Sequence, residues 1–310
     1  MHKILVTCPP MLKQINKFES RFKTYNFDVD APEVVQTLSE KELIEILPNY
    51  HGWIIGDDPA TYKVFQAGKN GKLKAAVKWG IGVDNVDFRA CHKLDIPITN
   101  TPGMFNSEVA DLAMCYLLGL SRDAFNIDRE VRQGNWLKPS GISLSGKVLG
   151  IIGLGDIGKS IAKRARAHDM RIIGWDPFAK SLPNYIELKR NWPLGLDKCD
   201  FIVFACALNK ENHHMLSNSL LTKFKPGVRV INISRGQLID ESALINGLKK
   251  GIIDSAALDV YEDEPLSKDH KIIDYPRCIL GSHNASNTIE AVIRASDESL
   301  RLLYNMLNKK

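Results

Sequence analysis

Short apolar runs alternate with longer amphipathic stretches along most of the chain, and this alternation predicts strands separated by helices. In the first hundred residues, apolar runs at 3–7, 53–55, 75–78 and 98–100 predict strands. A helix is predicted over residues 39–47, because Ser39 and Glu42 have the spacing of a capping box. The pattern indicates a small α/β unit.

The alternation continues from about residue 146 to residue 287, where six further apolar runs predict six strands. These runs are 148–152, 171–175, 201–206, 228–233, 255–259 and 278–280. Six strands separated by helices are typical of a doubly wound dinucleotide fold. Residues 107–121 are apolar around nearly the whole circumference of a helix, which predicts burial between domains or against a second subunit. Residues 121–136 and 288–310 are also predicted to be helical, the latter amphipathic.

A glycine-rich turn follows the first strand of this second half. The sequence Gly153-Leu-Gly155-Asp-Ile-Gly158 joins the run 148–152 to a helical stretch at 159–168, and the next strand ends at Asp176. The three glycines would permit a tight turn, close approach to a pyrophosphate and close helix–strand packing, in that order. Asp176 would accept hydrogen bonds from a ribose and repel a 2′-phosphate, which favours NAD over NADP. The alternative is a glycine-rich turn that binds no nucleotide.

Three ionisable side chains follow the last three predicted strands. Arg235 comes after 228–233, Glu264 after 252–260 and His283 after 278–280. The carboxyl ends of parallel strands lie at one edge of a sheet, so the three groups are expected in one crevice. Arg235 can hold a carboxylate in bidentate geometry, His283 can transfer a proton, and Glu264 beside it would favour the imidazolium. Taken singly, Arg235 or Glu264 could be a solvated charge and His283 a structural residue.

The composition excludes several classes of protein. The 310 residues are 44% hydrophobic and 25% charged, and 41 basic against 36 acidic residues give a formal charge of +5. The chain has no block of basic residues that would indicate nucleic-acid binding, and no apolar run has the length of a membrane span. Six cysteines without a C-x-x-C pair are read as buried free thiols, so we expect a cytoplasmic protein. His213 and His214 have no apparent third ligand, so no metal site is predicted and the pair is read as a solvated loop.

The chain resembles the NAD-dependent D-isomer-specific 2-hydroxyacid dehydrogenases through nearly its whole length. The resemblance is most specific at the glycine-rich turn, at Glu264 and His283, and at four further stretches. These stretches are Gly82-Val-Asp-Asn-Val-Asp87, Asn100-Thr-Pro102, Ile233-Ser-Arg-Gly236 and Ala257-Leu-Asp-Val260. Phosphoglycerate dehydrogenases and hydroxypyruvate/glyoxylate reductases look most similar within the family.

The resemblance implies an α/β fold with two Rossmann-like domains, doubly wound parallel sheets and an active site in the interdomain cleft. Residues 1–99 plus 288–310 would bind substrate, and residues 100–287 would bind NAD. Arg235, Glu264 and His283 match the catalytic positions. The expected cofactor-binding residues are Gly153, Gly155, Asp156, Ile157, Gly158, Asp176, Ala207, Ile233, Ser234, Asp259 and Ser286. The expected substrate-binding residues are Lys78, Gly80, Ile81, Gly82 and Arg235.

The implied reaction is reversible hydride transfer between NAD(H) and a small 2-oxo or 2-hydroxy acid, of the 3-phosphoglycerate or the hydroxypyruvate/glyoxylate type. Asp57 and Asp58 stand in a loop where many relatives have an arginine, and two carboxylates there would repel a phosphorylated substrate. Lys78 would partly offset them. The apolar helix at 107–121 predicts a homodimer. The alternative function is an NAD(H)-sensing regulatory protein of the same fold.

Overall fold

The computed structural model describes residues 1–189 and 191–309, which divide into two compact units. Unit 1 comprises Met1–Phe105 and Ser286–Lys310, and unit 2 comprises Asn106–Ala285. The predicted domain boundaries lie after residues 99 and 287, whereas the two units are divided after Phe105 and Ala285. Each unit is built around a parallel sheet with helices, and the predicted α/β fold class is therefore confirmed.

Unit 1 has a five-stranded parallel sheet in the order β2-β1-β3-β4-β5. The strands are β1 (His2–Val6), β2 (Phe27–Asp30), β3 (Gly52–Ile55), β4 (Ala75–Lys78) and β5 (Ile98–Asn100). The helices are α1 (Pro9–Leu12), α2 (Glu19–Tyr25), α3 (Glu40–Ile46), α4 (Tyr62–Asn70) and α5 (Phe88–Lys93), together with the last helix of the chain, Ile289–Leu307. This strand order is that of flavodoxin-like sheets, whose ligands bind outside the carboxyl ends of the strands.

Local sequence explains how the elements of unit 1 begin and pack. The capping box predicted at Ser39 is confirmed, since its side chain accepts from the backbone of Glu42 and the Glu42 side chain accepts in return. A Cβ on Gly52 would lie 2.9 Å from Ile4 and 3.0 Å from Leu303, so the glycine allows the last helix to pack closely on β3. Trp79 fixes the same helix, because its indole N–H donates to Ser296 Oγ at 3.1 Å.

Unit 2 has a parallel sheet in the order β12-β11-β10-β9-β6-β7-β8, with seven strands among the described residues. The strands are β6 (Val148–Ile152), β7 (Arg171–Trp175), β8 (Ile186–Lys189), β9 (Phe201–Phe204), β10 (Val228–Asn232), β11 (Ile253–Leu258) and β12 (Ile279–Leu280). The helices are α6 (Asn106–Arg122), α7 (Ala124–Arg132), α8 (Asp156–Arg166) and α9 (Glu241–Lys249). The six predicted strands are present, and β8 was not predicted.

The apolar helix α6 is buried by its own unit. It packs against α8 and against β10, β11 and β12, where Ala110, Ala113 and Leu117 are buried. Burial by another domain or subunit is therefore not needed to explain its composition. Leu118 is 39% exposed and Cys115 is also exposed, contrary to the expectation of uniformly buried thiols.

A left-handed residue at Asp123, with φ of 54°, separates α6 from α7. The second helix consequently covers fewer residues than the predicted 121–136. In the part of the chain that the structure describes, no helix has the length and apolarity needed to cross a membrane. Within the same residues, no group of three or more His, Cys, Asp or Glu side chains is placed to hold a metal ion.

Candidate active site

Three adjacent strands of unit 2 present the ionisable side chains that were predicted to act together. β10, β11 and β12 are neighbours in the sheet and run parallel. Arg235 follows β10, Glu264 follows β11 and His283 follows β12, so all three lie at the same edge of the sheet. The parallel topology therefore brings together residues that are up to 48 positions apart in the sequence (283 − 235).

Glu264 and His283 form a direct pair. His283 Nδ1 lies 2.7 Å from Glu264 Oε2, and the two side chains are 26% and 21% exposed. The second carboxylate oxygen of Glu264 accepts from the backbone N–H of Tyr261 at 3.1 Å. The carboxylate is thus held at both oxygens. Because an ionised carboxylate only accepts hydrogen bonds, Nδ1 must carry a proton, and Nε2 is the ring nitrogen that can exchange a proton with a ligand.

The loop that carries His283 is fixed by buried polar groups. His283 has a left-handed φ of 54°, and its backbone N–H donates to the carbonyl of Asp259 at 2.6 Å. The carboxylate of Asp259 is 1% exposed and accepts from Tyr116 at 3.2 Å and from the N–H of Ala285 at 2.8 Å. Burial raises the pKa of Tyr116, so its hydroxyl stays a donor at neutral pH. A non-glycine residue in this backbone region costs about 1–2 kcal/mol, and such strain clusters at functional sites.

The turn that carries Arg235 is shaped by side chains not predicted from the sequence. Asn232, which is 1% exposed, donates to the carbonyl of Arg235 at 2.8 Å and accepts from the N–H of Ser234 at 3.1 Å. A Cβ on Gly236 would lie 1.8 Å from the carbonyl carbon of Tyr261, so only glycine fits there. The Arg235 turn therefore packs backbone to backbone against the loop that carries Glu264.

The glycine-rich turn has the geometry that a dinucleotide requires. Gly153 has φ of 93°, and a Cβ on it would lie 2.6 Å from the backbone of Cys206. A Cβ on Gly158 would lie 2.0 Å from the carbonyl oxygen of Gly153, so the first turn of α8 packs tightly on the loop. Around Gly155, at the N-terminus of α8, a Cβ would meet nothing within 4 Å. The space beside Gly155 is therefore free of protein atoms, as expected where a pyrophosphate approaches the backbone.

Asp176 follows β7, where a ribose-binding carboxylate is expected. Its Oδ2 accepts from the N–H of Leu154 at 2.8 Å, and its Oδ1 accepts from the N–H groups of Phe178 and Ala179 at 2.7 and 3.0 Å. The carboxylate therefore ties the glycine-rich turn to the end of β7. These residues fit NAD, which would supply hydride chemistry.

The other predicted cofactor residues lie in several segments. Asp156 and Ile157 begin α8, Ala207 follows β9, and Ile233 and Ser234 follow β10. Asp156 and Ala207 are exposed, whereas Ile233 is 7% exposed. Ser234 Oγ donates to the carbonyl of Cys206, which joins the ends of β9 and β10. Ser286 begins the C-terminal segment of unit 1.

In unit 1, the predicted substrate-binding residues lie at the end of β4 and in the loop that follows it. Gly80 has φ of 127°, and its N–H donates to Thr101 Oγ1 at 2.8 Å. Ile81 is 37% exposed, and its carbonyl accepts from Asn100 at 3.1 Å. Gly82 continues the same loop, which is thus anchored to the end of β5. The lysine that precedes this loop, Lys78, is only 3% exposed.

The two carboxylates of the loop after β3 differ from the expectation. Asp58 is fully buried and accepts from the Thr7 hydroxyl and from the backbone N–H of Leu38 at 2.9 Å. Burial raises the pKa of Asp58. Asp57 is instead paired with Lys78. The Lys78 Nζ lies 3.0 Å from Asp57 Oδ1 and 2.6 Å from the carbonyl oxygen of Gly56. Asp58 is thus a structural residue, and the charge of Lys78 is balanced by Asp57.

Comparison with known proteins agrees with this geometry. Residues 114–285 match the family model described as "D-isomer specific 2-hydroxyacid dehydrogenase, NAD binding domain". A glyoxylate reductase of Korarchaeum cryptofilum is 31% identical over 308 residues, covering 95% of this chain and 90% of the relative. The chain belongs to the D-isomer specific 2-hydroxyacid dehydrogenases. The predicted family and the predicted cofactor, NAD, are both confirmed.

Two further members of the family extend the comparison. A D-3-phosphoglycerate dehydrogenase of Archaeoglobus fulgidus is 35% identical over 264 residues, which are 84% of this chain but only 50% of that protein. The chain therefore spans half the length of this relative. A solved structure from Polaromonas, described as a putative D-isomer specific 2-hydroxyacid dehydrogenase, has a TM-score of 0.86 and 26% identity, covering 99% of this chain and 97% of the other. The family consists of NAD-dependent oxidoreductases that act on CH–OH groups.

Proposed function

We propose that this dehydrogenase reduces a small, unphosphorylated 2-oxo acid, of the hydroxypyruvate or glyoxylate type, and catalyses the reverse oxidation of the D-2-hydroxy acid. The observation that carries the proposal is the 2.7 Å contact between His283 and Glu264 beside the Arg235 turn. An imidazole, a carboxylate and a guanidinium at adjacent strand ends suit an anionic substrate whose carbonyl must gain a proton.

In the proposed mechanism His283 is the proton donor. Its Nε2 gives a proton to the developing alkoxide, and Glu264 stabilises the imidazolium and fixes the ring through Nδ1. When bound, NADH supplies the hydride. In the oxidative direction, neutral His283 removes the hydroxyl proton through the same nitrogen.

Arg235 and the loop after β4 are proposed to bind the substrate. The Arg235 guanidinium would hold the carboxylate and the carbonyl oxygen in bidentate geometry, which lysine cannot reproduce. Backbone N–H groups of Ile81 and Gly82 are proposed to contact the substrate carboxylate, since concave runs of N–H groups bind anions. Gly80, whose N–H already donates to Thr101 Oγ1, is proposed to shape this loop. Lys78 is proposed to support this loop electrostatically.

The Asp57–Lys78 pair supports an unphosphorylated substrate over 3-phosphoglycerate. A phosphate monoester carries about −1.5 to −2 charges at neutral pH and is recognised by unneutralised cations. Lys78 is the buried cation of unit 1 among the described residues, and Asp57 already balances its charge at 3.0 Å. Asp57 is 40% exposed, so a phosphate that approached this loop would also meet its carboxylate.

The NAD contacts are proposed from the glycine-rich turn outward. Gly155, at the N-terminus of α8, would contact the pyrophosphate, Gly153 and Gly158 would shape the turn around it, and Asp176 would contact the ribose hydroxyls. The remaining proposed contacts are Asp156, Ile157, Ala207, Ile233, Ser234, Asp259 and Ser286. The carboxylate of Asp259 already binds Tyr116 and Ala285, so its contribution would be to shape the loop that carries His283.

A substrate panel tests the proposal. The purified protein is mixed with NADH and with glyoxylate, hydroxypyruvate, pyruvate, 2-oxoglutarate or phosphohydroxypyruvate, and loss of nicotinamide absorbance is followed. We expect turnover of about 1 s⁻¹ or more with glyoxylate or hydroxypyruvate, and a lower kcat/KM with phosphohydroxypyruvate. A preference for the phosphorylated acid would contradict the substrate class. NADH binding without turnover of any acid would favour the NAD(H)-sensing alternative.

We also propose that the protein is a cytoplasmic homodimer. The apolar side chains Phe125, Val131, Trp136 and Leu137 are 38%, 42%, 77% and 41% exposed along α7 and the segment after it. Such a row suits a second copy of the same surface in an isologous interface. The six free cysteines suit a reducing compartment. Sedimentation showing only a 34.7 kDa species at micromolar concentration would contradict the dimer, and cell fractionation tests the location.

A further inference from the structure

Two glutamates outside the proposed catalytic residues hold each other's backbone. The N–H of Glu241, the first residue of α9, donates to Glu262 Oε1 at 2.9 Å. In return, the N–H of Glu262, in the loop after β11, donates to Glu241 Oε1 at 2.9 Å. These reciprocal hydrogen bonds join segments 21 residues apart in the sequence. We call this pair the Glu241–Glu262 clamp.

Two histidines stabilise the clamp. His270 Nε2 lies 2.9 Å from Glu241 Oε2, and His214 Nε2 lies 3.3 Å from Glu262 Oε1. His270 Nδ1 accepts from the backbone N–H of Ile272 at 3.2 Å, so its Nε2 must be the nitrogen that donates to Glu241. His214 was predicted to lie in a solvated loop, whereas it is paired with Glu262, as His270 is with Glu241. Each glutamate of the clamp thus has a histidine beside its carboxylate.

The clamp acts on the loop that carries Glu264. Glu262 is two residues before Glu264, and the N–H of Tyr261, the residue directly before Glu262, donates to Glu264 Oε1 at 3.1 Å. Gln237, two residues after Arg235, donates from Nε2 to the Glu262 carbonyl at 2.8 Å. The clamp therefore holds the Glu264 loop between α9 and the Arg235 turn.

Helix capping does not account for the clamp. α9 already has an N-cap, since Asp240 Oδ1 accepts from the N–H groups of Ser242 and Ala243 at 2.9 and 3.1 Å. The side chain of Glu241 instead turns towards the loop, and Glu262 returns the contact. We propose that Glu241 and Glu262 are positioning residues that set the orientation of Glu264 and, through it, that of His283. This inference rests on the proposed role of His283 as proton donor.

The other polar groups of unit 2 around His283 do not depend on the clamp. Asp259 is held by Tyr116 and Ala285, and the Tyr261 hydroxyl lies 2.9 Å from the carbonyl oxygen of Gly281. Loss of the clamp should therefore change the Glu264–His283 contact without removing these groups.

The test compares Glu262→Ala with the conservative Glu262→Gln. Glu262→Ala should lower kcat for 2-oxo acid reduction by about 10–100-fold, since misplacement of about 1 Å can cost about 100-fold. Its pH optimum should move to lower pH, because a loosened Glu264 stabilises the imidazolium less. NADH affinity should stay within about twofold. Glu262→Gln keeps an oxygen that accepts from Glu241 and should restore most of kcat and the pH profile.

Asp240→Ala is the matched control, because it weakens the same helix without touching the Glu264 loop. It should lower Tm and leave the pH profile unchanged. A double-mutant cycle isolates the positioning role: in a Glu264→Gln background, Glu262→Ala should cause no further movement of the profile. An unchanged profile in Glu262→Ala, or an equal additional shift in the Glu264→Gln background, would overturn the proposal.

An assay independent of turnover separates this proposal from the proposed function. The imidazole titration of His283 is followed by proton NMR in the wild type, Glu262→Ala and Glu262→Gln, with His283→Ala identifying the signal. We expect the titration to move to lower pH in Glu262→Ala and to return in Glu262→Gln. If the titration is unmoved by Glu262→Ala, the clamp proposal fails. If it moves while no 2-oxo acid is reduced, the proposed function fails and the clamp stands.

Discussion

Gly155 and Gly153 lie two residues apart in the glycine-rich turn, yet alanine should impair NADH binding at one position and folding stability at the other. Gly155 is extended, with φ of −68° and ψ of −163°, and a Cβ there would meet no protein atom within 4 Å. Gly153 has φ of 93°, and a Cβ there would lie 2.6 Å from Cys206 Cα. We predict that Gly155→Ala folds normally and loses NADH, whereas Gly153→Ala is destabilised.

The magnitudes follow from these contacts. At the N-cap of α8, alanine in place of glycine should cost at most about 1 kcal/mol, which lowers Tm by about 2–4 °C in a unit of this size. At Gly153, the left-handed backbone adds about 1–2 kcal/mol and the clash about 1–3 kcal/mol, for a Tm lower by roughly 4–20 °C. A methyl group in the path of the pyrophosphate should weaken NADH binding by about 100-fold or more, about 2.8 kcal/mol.

Isothermal titration with NADH and calorimetric melting measure the two effects separately. For Gly155→Ala, the dissociation constant should rise about 100-fold while Tm falls by no more than a few degrees. Wild-type NADH affinity in Gly155→Ala would refute the assignment of this turn as the pyrophosphate site. A decrease in Tm for Gly155→Ala as large as that for Gly153→Ala would show that a Cβ at Gly155 clashes with the protein, contrary to the prediction.

Three further predictions concern single side chains. Glu264→Gln should leave a working enzyme whose optimum for 2-oxo acid reduction moves to lower pH, and an unchanged pH–rate profile would remove Glu264 from the mechanism. Arg235→Lys should raise the substrate KM and also lower kcat in steady-state assays, because the bidentate hold is lost; kinetics equal to wild type would contradict that role. Asp240→Ala should cost about 1 kcal/mol at neutral pH in urea unfolding. Hydrogen bonding from Ser242 lowers the pKa of Asp240. The difference in unfolding free energy between wild type and Asp240→Ala should therefore be full above about pH 4 and shrink as the pH falls through the lowered pKa. A difference that grows in acid would contradict this prediction.

The sequence was most informative where a local rule fixes the structure. The capping box at Ser39 and Glu42 and the strands on either side of the glycine-rich turn were predicted because each depends on neighbouring residues. The order of strands around Arg235, Glu264 and His283 followed from the general topology of parallel sheets. β8 was missed, because Ile186-Glu-Leu-Lys189 is short and only its first residue is buried.

Long-range contacts between polar groups could not be predicted in this way. Glu262 stands in an acidic stretch with Asp263 and Glu264, and nothing in its spacing from Glu241 indicates reciprocal hydrogen bonds. Asp57 and Asp58 are adjacent and chemically identical, yet one pairs with Lys78 and the other is buried against Thr7. The direction in which each side chain points after β3 determines which aspartate is buried, and the composition of the loop does not specify that direction.

His283 is proposed to transfer the proton in an NAD-dependent reduction of a 2-oxo acid. The most direct test measures kcat/KM of His283→Ala for glyoxylate or hydroxypyruvate alongside its NADH dissociation constant. We expect a loss of about 10²–10⁴-fold in kcat/KM with NADH affinity within about twofold of wild type. Retention of wild-type kcat/KM by His283→Ala would contradict it.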